Sequence, residues 1–258
     1  ELNHHQYSSP QRWEAILELL EVMTSMSKVR VPQDSDCAIL YSSDTYCADK
    51  GMRQPDEMKS AYAILGQLNG AWFKFIDDRQ IDRGEVELSQ YKMIFVPYAK
   101  YERKGVVQAL ENYIREGGIL VVADPEAFTY DITSKIMEEY QLRLFGVKRD
   151  SQVTEDWIIR GNNEFSDIQL EKAQHANAWA IAPIEEVKGL LYYPDGSIAV
   201  SSNELGKGKV IYFGFNPFTK DAAQSHSWIQ FFRELMQTND IVLDRDIWRF
   251  KLDRKSVV

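Results

Sequence analysis

Apolar positions at helical spacing open the chain. Trp13, Ile16, Leu17, Leu20 and Met23 share one stripe of residues 11–27, and Leu19, Val22 and Met26 lie on an adjacent face. A stripe that wide predicts a helix with partners on two sides. Val31-Pro32 breaks it, since proline restricts both itself and the residue before it, and residues 31–36 read as a linker. An alternation of short apolar runs and helical stripes follows. Cys37 to Ser42, Trp72 to Ile76, Tyr91 to Pro97 and Ile119 to Ala123 have the form of buried strands. A polar loop from Ser43 to Gln54 precedes a helix that begins at Pro55-Asp56-Glu57 and stops at Asn69-Gly70. A second helix carries Val106, Val107, Leu110, Tyr113 and Ile114 and stops at Gly117-Gly118.

Strands alternating with amphipathic helices predict βαβ crossovers and a mostly parallel sheet between helical layers. The pattern changes near residue 130. Leu190 to Tyr193, the turn Pro194-Asp195-Gly196 and Ser197 to Val200 form a hairpin signal, and Gly206-Lys207-Gly208 forms another before Lys209 to Gly214. An antiparallel extension is therefore expected over roughly 144–215. A last helix is expected from Asp221, with Gln224 completing a capping box and Trp228, Phe231, Phe232, Leu235 and Met236 inside. The division predicted is 1–34 as helix and linker from a preceding module, 35–240 as an α/β domain, and 241–258 as a strand-like tail (Ile247-Trp248-Arg249-Phe250) toward a following one.

Composition narrows the function. The 258 residues carry 30 Lys+Arg against 39 Asp+Glu, a net charge of −9. That balance argues against a nucleic-acid partner, whose phosphates demand clustered cations. No apolar run approaches the ~20 residues that span a bilayer, so no membrane partner is expected. Two cysteines, Cys37 and Cys47, make neither a disulfide framework nor a four-thiolate zinc site. The first residues lack a signal peptide's apolar core, and a start at Glu1 without Met predicts an excised piece.

Ligands of open parallel sheets sit beyond the carboxyl ends of the strands. Ser43, Asp44, Tyr98, Asp124, Glu126 and Asn216 follow such ends and are the candidate ligand-binding residues. Between the first strand and helix stands only Gly51, with neither GxGxxG nor a Walker motif, so no nucleotide cofactor is expected. Asp44, Asp77, Asp124 and Glu126 are acids that a hard cation would use. Lacking DxD or EF-hand spacing, they read as caps of strand and helix ends, and no metal is predicted. His4, His5, His175 and His226 form no HExxH. Cys47 is the one candidate thiol nucleophile, with His226 as its partner, but it has no elbow motif around it. Trp72 and Trp228 read as core. Tyr41, Tyr46, Tyr98 and Tyr101 fall near strand ends and suit a sugar-stacking or subunit-contact surface.

Five segments carry a resemblance. The run Tyr91 to Pro97, the helix end Leu110-Glu111-Asn112-Tyr113-Ile114-Arg115-Glu116-Gly117-Gly118 and the strand Ile119 to Val122 resemble the β-galactosidase trimerisation domain. The entry Val31-Pro32 to Ser42 and the late segment Gly206 to Gly214 are similar to the same family. That family follows the catalytic barrel in glycoside hydrolase family 42 and belongs to the class I glutamine amidotransferase-like superfamily. The resemblance implies a three-layer, flavodoxin-like α/β fold and a non-catalytic accessory or oligomerisation role. Its implied partners are an upstream catalytic module and other copies of the chain. In true amidotransferases a cysteine follows the strand corresponding to 119–123; here the sequence reads Asp124-Pro125-Glu126-Ala127, and Pro125 removes a backbone N–H. Their late His-x-Glu is absent around Phe215 to Phe218. Two rival readings remain: a hydrolase or amidase acting through Cys47 and His226, and a module that binds carbohydrate through its loop aromatics.

Overall fold

The computed structural model describes residues 10–25, 34–50, 53–153, 158–162, 164–169 and 177–244. The chain divides into two compact units, Glu1–Asp34 and Ser35–Val258. The first contains α1 (Pro10–Ser25), on which Trp13, Leu17, Leu19 and Leu20 are about half exposed. Residues 26–33 of the helix end and linker, Gly51, the histidines His4, His5 and His175, and the tail at 247–250 lie outside the described residues. No described helix is long and apolar enough to cross a membrane.

In the second unit β1 (Cys37–Tyr41), β2 (Phe73–Asp77), β3 (Met93–Val96), β4 (Ile119–Val122) and β11 (Gly208–Phe213) form a parallel sheet in the order β2-β1-β3-β4-β11. Counted among themselves these strands run 2-1-3-4-5, the flavodoxin order, with its switch point between β1 and β3. Their side chains alternate between two apolar cores, which makes three layers. Ile39, Phe95, Val121 and Phe213 enter one core. There they meet α3 (Gln54–Ala61), a π-helical continuation at Tyr62–Leu68, and α7 (His226–Thr238). Leu40, Val96, Val122 and Val210 enter the other, against α4 (Asp78–Asp82), α5 (Lys104–Glu116) and α6 (Glu138–Phe145). The double glycine after α5 has a steric reason. Gly117 stands at φ +124°, a conformation open to glycine alone in practice, and a Cβ on Gly118 would fall 2.2 Å from the Tyr113 ring.

The extension is antiparallel, as the turn signals predict. β10 (Ile198–Leu205) pairs β11, β9 (Lys188–Tyr192) and β8 (Ala178–Pro183). β5 (Val147–Val153) pairs β8, β6 (Ile158–Gly161) pairs β9, and β7 (Ile168–Gln169) pairs β6. β11 belongs to both halves, being parallel to β4 and antiparallel to β10.

Four local expectations change. The polar stretch after β1 is not all loop, because α2 (Ser43–Ala48) forms with Ser42 as a side-chain N-cap to Thr45. Cys47 therefore sits on a helix. Between β2 and β3 lie α4, opened by an Asp77/Gln80 capping box, and a 3-10 turn at Leu88–Gln90, neither marked by an apolar stripe. The last helix begins at His226; Asp221 instead precedes a 3-10 turn at Ala222–Gln224. Trp228 is core, but Trp72, next to edge strand β2, is only half-buried.

Candidate functional site

Because β1 to β4 run in one direction, the residues after each strand collect at one edge of the sheet. Two polar clusters form there, each drawing on residues that follow β1 and β3.

The first is built around Arg53, just before α3. Its guanidinium lies 2.9 Å from Glu57 and 3.6 Å from Glu126, and stands over the Tyr98 ring at 4.6 Å. Lys100 pairs with Glu126 at 2.8 Å. Beneath them is Asp124, fully buried, whose carboxylate accepts the backbone N–H groups of Glu126 (3.0 Å) and Ala99 (3.4 Å). Burial pushes its pKa up to about 6, against those N–H groups and Arg53. Burial likewise raises Glu57 to about 8, outweighing Arg53, and Glu57 Oε2 has no hydrogen-bond partner among the described residues. Tyr98 is buried, with its phenol driven upward by desolvation and by Asp124. Asn216 braces the cluster from below, its amide N–H reaching the Pro97 carbonyl at 2.9 Å and its oxygen accepting the Phe218 N–H.

The second cluster joins α2, α4 and the segment before α5. Ser43 Oγ donates to Asp78, and the Asp44 N–H reaches Asp78 Oδ2 at 2.9 Å. Arg103 grips Asp44 through Nε at 2.7 Å and Asp82 at 3.3 Å. Glu102 is buried, and that desolvation, with Asp78 beside it, holds its carboxyl well above the usual carboxylate range.

The six residues expected at strand ends thus fall into two groups: Ser43 with Asp44, and Tyr98 with Asp124, Glu126 and Asn216. The four tyrosines do not share a surface. Tyr98 is core, Tyr101 stacks on Tyr130 at 5.3 Å, and only Tyr41 and Tyr46 line a common groove. That groove, of 710 Å³, runs along edge strand β2 and is completed by Pro55, Met58, Phe75 and Ile76. Phe75 is 51 % exposed within it.

Among the described residues no nucleophilic site is assembled at this edge. The backbone amides around residue 124 that would face a reacting oxyanion are engaged by a carboxylate. Cys47 is exposed on α2, and no hydrogen bond joins it to His226 among the described residues. Arg53, Glu57, Lys100, Glu102 and Arg103 escaped sequence reasoning. Glu57 reads as an ordinary first-turn acid, and the others as solvated loop charges. The one usable signal was their position: each follows β1 or β3, the two strands that flank the switch point.

A family model described as the β-galactosidase trimerisation domain matches residues 35–242. No curated protein matches the chain by sequence. Among solved structures, a β-galactosidase from Rahnella sp. R3 superposes with a TM-score of 0.68 at 17% identity, over 90% of this chain and 35% of the other. One from Bacillus circulans sp. alkalophilus gives 0.67 at 14% identity, over 93% and 36%. The exo-β-1,4-mannosidase Op5Man5 from Opitutaceae bacterium strain TAV5 gives 0.56 at 14% identity, over 88% and 37%. The chain spans about a third of the length of these structures.

Proposed function

Because the chain belongs to the β-galactosidase trimerisation domain family, we propose that it is the self-association module of a longer glycoside hydrolase. The observation that carries the reading is the family match over 35–242. The carboxylate at Asp124, locked onto the amides a nucleophile's oxyanion would need, supports a non-catalytic role. Catalysis then belongs to a module outside these residues, with 1–34 its connection to this one and 241–258 leading onward. Similar folds occur in β-galactosidases and in an exo-β-1,4-mannosidase, which supports a β-glycoside as the class of the parent's substrate.

The groove along β2 is the surface proposed to meet another copy. An edge strand offers unpaired backbone, and natural edges are usually shielded by charge or cover; here β2 carries the exposed Lys74, yet Phe75 beside it and Tyr46 of α2 also stand exposed. Of the strand-end residues, Ser43, Asp44 and Glu126 are half-buried and are the ones proposed to add polar contacts, whereas Tyr98, Asp124 and Asn216 are buried.

Light scattering on the full chain and on its parent tests this. The expected result is a trimer, three times the 29.9 kDa chain for the fragment. Phe75→Glu is expected to shift it to smaller species without loss of the helical CD signal. A parent that stays monomeric at every concentration overturns the proposal.

A further inference from the structure

We propose that Asp44, Asp78 and Glu102 form a binding site for a divalent cation that takes oxygen ligands, of the size of Ca²⁺. One carboxylate oxygen from each lies within 4.8 Å of the others. An ion bonded at the roughly 2.3–2.6 Å usual for Ca²⁺ bridges such a spread, whereas Mg²⁺ at about 2.0–2.1 Å asks for a tighter set.

Three acids together are often only a solvated patch. Glu102 makes this one different. Its side chain has no solvent exposure, Oε1 accepts the Arg103 backbone N–H at 2.9 Å, and Oε2 meets no donor among the described residues. A carboxylate oxygen buried without a donor or cation is costly. Ser42 Oγ, close enough to act on Glu102, has one proton and already faces Thr45 Oγ1, Asp78 Oδ2 and the Tyr101 carbonyl. Asp78 is equally buried but is well supplied, with donors from Ser43 and from the Asp44 and Arg79 amides.

Arg103 holds both oxygens of Asp44, Oδ2 through Nε at 2.7 Å and Oδ1 through Nη2 at 3.3 Å, so an ion at Asp44 shares that carboxylate with it. Arg103 pairs with Asp44 and Asp82, and Arg79 stands 3.8 Å from Asp44. Among the described residues neither guanidinium forms an ion pair with Asp78 or Glu102. A cation would therefore supply the positive charge that the buried pair lacks. It would also tie together the starts of α2 and α4 and the segment between β3 and α5. Sequence reasoning, which expects no metal, names Asp44 among the acids a hard cation would use but neither Asp78 nor Glu102, and its other three acids are engaged elsewhere. Asp77 caps α4, Asp124 is satisfied by backbone amides, and Glu126 is held by Lys100.

The test is a titration of the chelator-treated full chain with Ca²⁺, Mg²⁺ and Tb³⁺. Calorimetry is expected to give one Ca²⁺ per chain, and the melting temperature to rise by a few degrees on saturation, because the ion binds the folded state. Tb³⁺ luminescence, sensitised by tyrosine, is expected to appear and to be displaced by Ca²⁺. Glu102→Gln and Asp44→Asn are each expected to weaken binding at least tenfold, and Asp77→Asn to leave it unchanged. If wild type takes up none of the three ions, the proposal falls, whether or not the variants fold. A Glu102→Gln chain that binds Ca²⁺ as wild type does overturns it too. So does a Glu102→Gln chain that is more stable than a wild type indifferent to Ca²⁺, since the buried pair would then hold a proton instead.

Discussion

The parallel and antiparallel halves of the sheet share β11 and are built from similarly apolar strands, yet they treat polar residues differently. In the parallel half, β1 to β4 release their following residues at a single edge. Ser42, Asp78, Tyr98 and Asp124 converge there from four separate loops, and the buried acids Glu57, Asp78, Glu102 and Asp124 collect with them. In the antiparallel half, neighbouring strands end at opposite edges, so buried polar side chains stay single. Asn203 donates to the Leu144 carbonyl, and Ser201 Oγ has no partner among the described residues. Strand direction, rather than composition, decides where a concentrated polar site arises.

The strongest way to break this comparison is to attack the strand both halves share. Phe213 is fully buried between Phe215, Phe231 and Phe232. Phe213→Ala is expected to cost about 3–5 kcal/mol in urea unfolding, with both halves lost in one transition. Two separate transitions would mean that the halves are independent bodies. A second experiment sharpens the polar side. Asp124 keeps its proton up to about pH 6, whereas its ordinary value is 3.8. Its contribution is whole below the ordinary value; as pH rises toward 6 the unfolded chain releases the proton first, and stability is lost. The loss amounts to something on the order of 3 kcal/mol. Asp124→Asn is expected to flatten that slope, and unfolding free energies compared with wild type from pH 4 to 7 measure it. The smallest effect is reserved for the antiparallel half. Lys188 pairs with Glu164 at 2.6 Å with both side chains about half exposed, so Lys188→Ala is expected to cost less than about 1 kcal/mol in the same assay.

Legibility followed the same division. β3, the end of α5 and β4 could be read to within about two residues, because Met93–Val96 and Leu120–Val122 are buried and Gly117 has a conformational need. β5 could not. Between its buried end residues Val147 and Val153 the strand carries Lys148, Arg149, Asp150, Ser151 and Gln152, all of them at least partly exposed. α2 was hidden because its six residues form no apolar stripe and depend on the Ser42 cap. At the candidate site, position was legible and partnership was not. The strand ends pointed to Asp44 and Asp124, but Glu102 and Arg53 gain their meaning only from neighbours brought in by other loops.

The double membership of β11 also fixes an order of events during synthesis. β4 finds its last parallel neighbour only after residues 123–207 have emerged, for its ladder partners are Lys209 to Tyr212. Until then one flank of the nascent sheet has no mate, and contacts so distant along the chain close slowly. The local hairpin of β10 and β11 joins at Gly206-Lys207 and can zip first. The extension then delivers β11 to the waiting strand already paired, so the segment that interrupts the parallel sheet also escorts its final member home.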